Sequence, residues 1–133
     1  GKRFLLVEDN ALNCEIATEL FELSGAIVES ADNGLAGVEV FCSKEEGYYD
    51  AIFMDIQMPV MNGLEAAQMI RALLREDAHT IPIVAMTANA FSEDVSKSLN
   101  AGMNDHISKP IDLKKLHAVL GKHGDRNEKT ANE

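Results

Sequence analysis

The chain has 133 residues, enough for one domain built on one core. Apolar residues make up 46% of it and charged residues 26%, which excludes a disordered or fibrous chain and fits an ordinary globular domain. Twenty-two acidic residues against twelve basic ones give a net charge of -10, which argues against nucleic acid as a direct partner, since phosphate contacts need a basic face; metal cations and basic partner surfaces stay open.

Phe4-Leu5-Leu6-Val7 reads as a short buried strand that ends in Glu8-Asp9-Asn10. Residues 11–24 read as a helix, with Leu12, Ile16, Leu20 and Leu23 on one face at three- and four-residue spacing. Gly25 supplies a left-handed stop. Residues 27–31 form a second, more polar strand, expected at an edge of the sheet. Asp32-Asn33-Gly34 turns into a second helix expected to end near Glu46-Gly47. The third strand, Ala51-Ile52-Phe53-Met54, is apolar on both faces and stops on Asp55, as suits a strand between two helical layers. A turn punctuated by Pro59 and Gly63 follows, and Asn62 can cap a third helix with Ala66, Ile70, Leu73 and Leu74 inward.

Ile81-Pro82-Ile83-Val84-Ala85-Met86 is the fourth strand, with Pro82 tolerable near its start. A short fourth helix over residues 92–100 ends at Gly102. Residues 105–109 make the fifth strand, Pro110 follows, and Asp112 caps a last helix with Leu113, Leu116 and Leu120 inward. Residues 1–122 are thus expected to form the domain, and residues 123–133, with almost nothing to bury, a mobile polar tail or linker. Cys14 and Cys42 fall in predicted helices without metal-ligand spacing and read as free thiols of a reducing compartment. No apolar run approaches the roughly 18 residues of a membrane span, and no signal-peptide pattern is present. The chain opens on Gly1 rather than Met and reaches its first strand within a few residues, so a segment of a longer protein is expected.

Five strand–helix units without repeat or linker build a parallel sheet with right-handed crossovers and helices on both faces. The expected fold class is α/β, a flavodoxin-like (βα)5 doubly wound parallel sheet in the order 2-1-3-4-5. In that order strands one, three, four and five are consecutive neighbours. Their carboxyl ends bring Glu8 and Asp9, then Asp55, then Thr87, then Lys109 to one rim; strand two contributes nothing equivalent. Each residue alone has an ordinary reading: Asp9 and Asp55 as caps, Thr87 as a β-branched strand residue, Lys109 as a solvated lysine. Their convergence on adjacent strand ends is what those readings leave unexplained. Crowded carboxylates repel, and a hard divalent cation such as Mg²⁺ relieves the repulsion, binding one or two carboxylates together with waters and phosphate oxygens. An aspartate carboxylate is also a nucleophile toward phosphoryl groups, and phosphoryl transfer needs mainly positioning and charge stabilisation. Asp55 suits that role, with a cation at Glu8 and Asp9, the Lys109 ammonium and the Thr87 hydroxyl each taking a phosphoryl oxygen.

The motifs Val7-Glu8-Asp9-Asn10, Met54-Asp55-Ile56-Gln57-Met58-Pro59-Val60-Met61-Asn62-Gly63, Met86-Thr87-Ala88 and Ser108-Lys109-Pro110 resemble those of the receiver domain of two-component response regulators, over about residues 3–120. The resemblance implies that Asp55 accepts a phosphoryl group from the phosphohistidine of a histidine kinase or histidine phosphotransfer domain, with small phosphodonors as further sources. It implies a Mg²⁺ held by Glu8, Asp9, Asp55 and the main-chain carbonyl of Gln57. It implies that Lys109, aimed by a cis bond to Pro110, bridges to the phosphoryl group. Thr87 would swing inward on phosphorylation, and the change would be read on the face of the fourth helix, fifth strand and fifth helix. One position departs from the family pattern: His106 stands where Tyr or Phe is usual, three residues before the lysine. It reads first as a half-exposed strand residue and second as a substitute for the aromatic switch. Pro59, Gly63 and Pro110 have structural roles in that pattern.

Phrases such as Met86-Thr87-Ala88-Asn89-Ala90-Phe91 look most like receivers fused to hybrid sensor kinases, in the cytoplasm or as the cytoplasmic part of a membrane-bound sensor, with no nucleic acid or membrane contact by this domain. A stand-alone regulator and a non-phosphorylated interaction module are the alternatives. A flavin mononucleotide binder is disfavoured because Glu8-Asp9 would repel its phosphate. A P-loop hydrolase needs Gly-x-x-x-x-Gly-Lys-Ser/Thr, which is absent. An aspartate-nucleophile phosphatase usually has a second acid two residues after the nucleophile, and here that residue is Gln57.

Overall fold

Alternation along the strands divides the interior into two halves. Phe4, Leu6, Phe53, Val84, Met86 and Ile107 face one way, and Leu5, Val7, Ile52, Met54, Ile83 and Ala85 the other, as the two-residue period of a strand requires. The computed structural model describes residues 2–56, 58, 61–87, 101–108 and 111–123. The strands β1 (Arg3–Val7), β2 (Ile27–Ala31), β3 (Ala51–Asp55), β4 (Ile83–Thr87) and β5 (Asp105–Ser108) are all parallel and lie in the order β2-β1-β3-β4-β5. The described helices are α1 (Ala11–Leu23), α2 (Gly34–Ser43), α3 (Gly63–Arg71), α4 (Glu76–Thr80) and α5 (Leu113–His123). The α/β class and the strand order are those expected from the sequence.

On one face Ala17 and Phe21 of α1 and Leu116 and Val119 of α5 cover the sheet. Phe4, Phe21 and Phe53 form an aromatic cluster there, with ring centroids 5.6, 5.4 and 4.6 Å apart. On the other face Val38 and Phe41 of α2 pack with Ala66, Ala67 and Ile70 of α3.

Several elements differ from the sequence reading. The face of α1 expected inward is largely outward: Leu12 is 64% exposed, Ile16 45% and Leu23 73%. The buried stripe is Ala17 and Phe21, with Cys14 and Leu20 partly covered. Small residues at 14 and 17 let the helix approach the sheet closely, and Phe21 fills the space beside Phe4 and Phe53. The second helix ends at Ser43, short of Glu46-Gly47. Lys44 is extended, and the Arg75 guanidinium takes the carbonyls of Phe41 and Lys44 at 3.2 and 2.9 Å. The third helix ends at Arg71, so Leu73 is only partly covered and Leu74 is fully exposed rather than inward. Helix α4 was not foreseen. Its five residues are too few for periodicity, and one local and one long-range contact hold it: Arg75 grips Asp77 at 2.7 and 2.9 Å, and Glu46 accepts from the Glu76 amide at 2.8 Å.

Strand β4 starts at Ile83 rather than Ile81 and includes Thr87. In α5, Leu113 is exposed, while Leu116 and Val119 are buried; Asp112 does cap the helix, accepting from the Lys115 amide at 2.8 Å. Gly25 has φ +87°, the left-handed stop expected after α1. Both cysteines are free. The helix expected over residues 92–100 and the tail expected beyond α5 lie outside the described residues, as do Gln57, Pro59, Lys109 and Pro110.

Arg71 secures the approach to β5. Its guanidinium donates to Gly102 O, Ala78 O and Asn104 Oδ1 at 2.9, 2.9 and 2.7 Å. Asn104 in turn exchanges hydrogen bonds with the main chain of Ile83 at 2.8 and 2.9 Å. The starts of β4 and β5 are thereby stapled together, and the register that carries Thr87 beside Ser108 follows.

Candidate active site

The register sets the carboxyl ends of the strands level. Val7 pairs with Met54, Asp55 with Met86, and Thr87 with Ser108. The residues that follow β1 and close β3 therefore meet. One carboxylate oxygen from each of Glu8, Asp9 and Asp55 lies within 4.8 Å of the others. Glu8 and Asp55 are buried, at 4% and 5% exposure, while Asp9 is exposed. The site therefore has a dry floor and an open side.

Each acid is held by its local backbone. The Glu8 amide donates to Ala31 O at 3.0 Å, and the Glu8 carboxylate accepts from the Asn10 amide at 3.3 Å. Asn10 caps α1 by accepting from the Asn13 amide at 2.9 Å, so the helix starts directly behind the acids. After Asp55 the chain is closed by a bond from the Gly63 amide to Ile56 O at 2.9 Å. Asn62 and Glu65 then form a reciprocal capping box at 2.9 and 3.3 Å that starts α3. Gly63 is required at that closure: a Cβ there would press into the main-chain carbonyl of Asp55.

Thr87 closes β4 on the other side. It is 3% exposed, and its Oγ1 is buried with no hydrogen-bond partner among the described residues. A buried hydroxyl without a partner is rare and calls for an explanation. His106 is half-buried in β5, opposite Ala85, with Nδ1 3.9 Å from Asp105 Oδ1. The residue just before Lys109, Ser108, is held from α5: Lys115 Nζ donates to its carbonyl at 3.2 Å.

The expected site residues Glu8, Asp9 and Asp55 are thus brought together, with Thr87 on the neighbouring strand end and Gly63 at the base of the loop. Two supporting residues escaped the sequence reading. Gly34, read only as part of a turn, donates its amide to Met61 O at 3.1 Å. Lys115, in the last helix, reaches back to the end of β5.

The sequence profile of the response regulator receiver domain matches residues 4–121. The chain belongs to that family. This receiver domain is 44% identical over 124 residues to hybrid signal transduction histidine kinase G of Dictyostelium discoideum, covering 92% of this chain and 4% of that protein. It is 40% identical over 124 residues to the osmosensing histidine protein kinase SLN1 of Saccharomyces cerevisiae, covering 89% of this chain and 10% of that protein. The receiver domain therefore spans a small part of the kinases it matches. Among solved structures it is similar to the receiver domain of sensor histidine kinase PA1611 from Pseudomonas aeruginosa, with TM-score 0.80, 37% identity, and coverage of 92% of this chain and 97% of that one. That structure has a magnesium ion coordinated in the active-site cleft. The receiver domain is thus a module of two-component phosphorelay signal transduction, homologous to the receivers of hybrid histidine kinases.

The donor set of this receiver domain fits such an ion. Oxygens on opposite sides of an octahedral Mg²⁺ stand about 4.2 Å apart, from bonds of about 2.1 Å. A 4.8 Å spread among three carboxylate oxygens is a small rotamer adjustment away. Among the described residues no helix is long and apolar enough to cross a membrane.

Proposed function

We propose that Asp55 is the phosphoacceptor of this receiver domain. The observation that carries the reading is the meeting of three carboxylate oxygens within 4.8 Å, with the buried Thr87 hydroxyl, unpartnered among the described residues, on the neighbouring strand end. One Asp55 oxygen attacks the phosphorus of a phosphohistidine; the P–N bond breaks, the imidazole leaves with its electron pair, and an acyl phosphate forms. Glu8, Asp9, Asp55 and the main-chain carbonyl of Gln57 would hold Mg²⁺, which when bound neutralises charge on the phosphoryl oxygens. Lys109, aimed by Pro110, would neutralise another oxygen, and the Thr87 hydroxyl would donate to a third. Glu8 and Asp9 come from one chain segment and Asp55 from another, so the reading needs the β1–β3 register that the fold provides.

The donor is a histidine kinase or histidine phosphotransfer domain. Leu12 and Ile16, exposed on the first turns of α1 directly behind Glu8-Asp9-Asn10, give that protein an apolar surface next to the acceptor. The identity to hybrid kinases supports a parent of that kind, with this domain in the cytoplasm. A stand-alone regulator is the second reading, and the coding sequence on either side of this segment decides between them. His106 stands where the family usually has an aromatic switch residue.

Incubation with Mg²⁺ and acetyl phosphate should add one phosphate by intact mass, and Asp55→Asn should add none. Equal labelling of both proteins would overturn the assignment.

A further inference from the structure

Strand β2 carries no acid to the rim, yet the four residues that leave it touch both segments that do. Ala31 O accepts the Glu8 amide at 3.0 Å. Three residues on, the Gly34 amide donates to Met61 O at 3.1 Å, in the loop that leads away from Asp55. Between them Asn33 caps α2, accepting from the Ala36 amide at 2.8 Å, and so fixes the direction of the Gly34 N–H. Gly34 is buried, and the approach leaves no room: a Cβ there would lie well under 3.0 Å from Met61 O and 3.1 Å from Asn62 O. Both neighbours are main chain, which cannot swing aside as a side-chain end can.

The same loop is anchored at its base by the Gly63–Ile56 bond and by the close packing of Gly63 on Asp55. Gly34 is therefore the lateral tether of a loop whose foot is Asp55, and Ala31 is the tether of Glu8. We infer that Gly34 is a positioning residue for the metal site: it sets the distance between the loop after Asp55 and the end of β1, and through that distance the affinity for a divalent cation. The inference rests on the reading of Glu8, Asp9 and Asp55 as cation ligands. Residues that orient ligands without touching the metal commonly change affinity by 10- to 100-fold when replaced.

The test is a Mg²⁺ titration followed by NMR on the wild-type chain, Gly34→Ala and Gly25→Ala. Gly25 has φ +87° at the far end of α1, so its replacement strains the fold without touching the rim. Gly34→Ala should weaken Mg²⁺ about ten-fold, and Gly25→Ala should bind as wild type even where both lower the melting temperature. Equal affinity of Gly34→Ala and wild type would overturn the inference alone; failure of wild type to bind Mg²⁺ would overturn the ligand assignment and the inference with it. Amide exchange in the wild-type chain provides a readout that needs no folded variant. Because tether and cation are linked, saturating Mg²⁺ should slow exchange of the Gly34 N–H several-fold. An unchanged rate at saturation would also overturn the inference.

Discussion

Gly63 and Asp55 touch through their main chains: a Cβ added to Gly63 would lie well under 3.0 Å from the Asp55 carbonyl oxygen. The loop after β3 folds back on the residue from which it starts. Gly63→Ala must push that carbonyl or the start of α3 aside, and overpacking of this kind costs about 1–3 kcal/mol. Urea unfolding should show that loss, and acetyl phosphate labelling of Asp55 should slow in the surviving folded fraction.

Asp9 is the exposed member of the acidic group. Asp9→Asn removes one charge from the donor set while leaving the buried floor of Glu8 and Asp55 intact. Mg²⁺ affinity should fall markedly by NMR titration, with stability changed by no more than about 0.5 kcal/mol, as for other surface substitutions. Unchanged Mg²⁺ affinity would remove Asp9 from the ligand set.

Two hydrogen bonds from the Arg75 guanidinium hold the Asp77 carboxyl below its ordinary range, against the opposing effect of burial. A carboxylate held low in the folded state adds stability above its unfolded pKa, about 4, and that stability is lost as pH falls through the folded value. Asp77→Asn should therefore flatten the acid limb of stability against pH below about pH 5. Arg75→Ala should cost more, about 2 kcal/mol, because the same guanidinium also takes the Phe41 and Lys44 carbonyls and stacks on the Phe41 ring at 4.6 Å.

At the opposite pole of the sheet, Tyr49 is buried and donates to Glu29 at 2.8 Å, and Tyr48 donates to the other oxygen at 2.7 Å. Burial first, and the Glu29 bond second, push the Tyr49 phenol far above its usual value. A raised folded pKa adds stability that is complete below the unfolded value of about 10 and is lost at higher pH. Phenolate absorbance should thus show Tyr49 ionising only as the chain unfolds in alkali. Tyr49→Phe should cost about 1 kcal/mol at neutral pH and remove that alkaline loss.

The two apolar stripes of α1 should separate by substitution. Phe21→Ala opens the aromatic cluster and should cost about 3–5 kcal/mol. Leu12→Gln and Ile16→Gln should change stability by about 0.5 kcal/mol or less. They should slow transfer from a phosphohistidine-bearing protein more than they slow labelling by acetyl phosphate; equal slowing would exclude α1 as a docking face.

The strand order and the meeting of Glu8, Asp9 and Asp55 were legible because each rests on a strong local pattern: apolar runs of strand length ending abruptly in acids. The orientation of α1 was not, because Leu12, Ile16 and Leu23 satisfy helical spacing as well as Ala17 and Phe21 do; only the space beside Phe4 and Phe53 decides between them. The end of α2 and the start of α4 were hidden for a related reason. Arg75 fixes the first through the Phe41 and Lys44 carbonyls, and Glu46 holds the second through the Glu76 amide; in each case the partners stand thirty or more positions apart, and no short window of sequence contains both. Gly34 was seen, but a turn glycine and a tether glycine look alike until Met61 is placed against it.

If Asp55 is the phosphoacceptor proposed above, the Thr87 hydroxyl, without a partner among the described residues, would bear on the balance between the unmodified and the phosphorylated domain. A buried donor left without an acceptor raises the free energy of the state that contains it by about 1–3 kcal/mol. A phosphoryl oxygen arriving on the adjacent strand end would supply the missing acceptor, and only in the modified state. That difference alone corresponds to a shift of about 5- to 150-fold in the ratio of two conformers. Sensitivity of the domain to its phosphoryl group would then arise from a buried donor that only the modified state satisfies, and Thr87→Val, which needs no acceptor, should narrow the gap between the two states while making the resting one more stable.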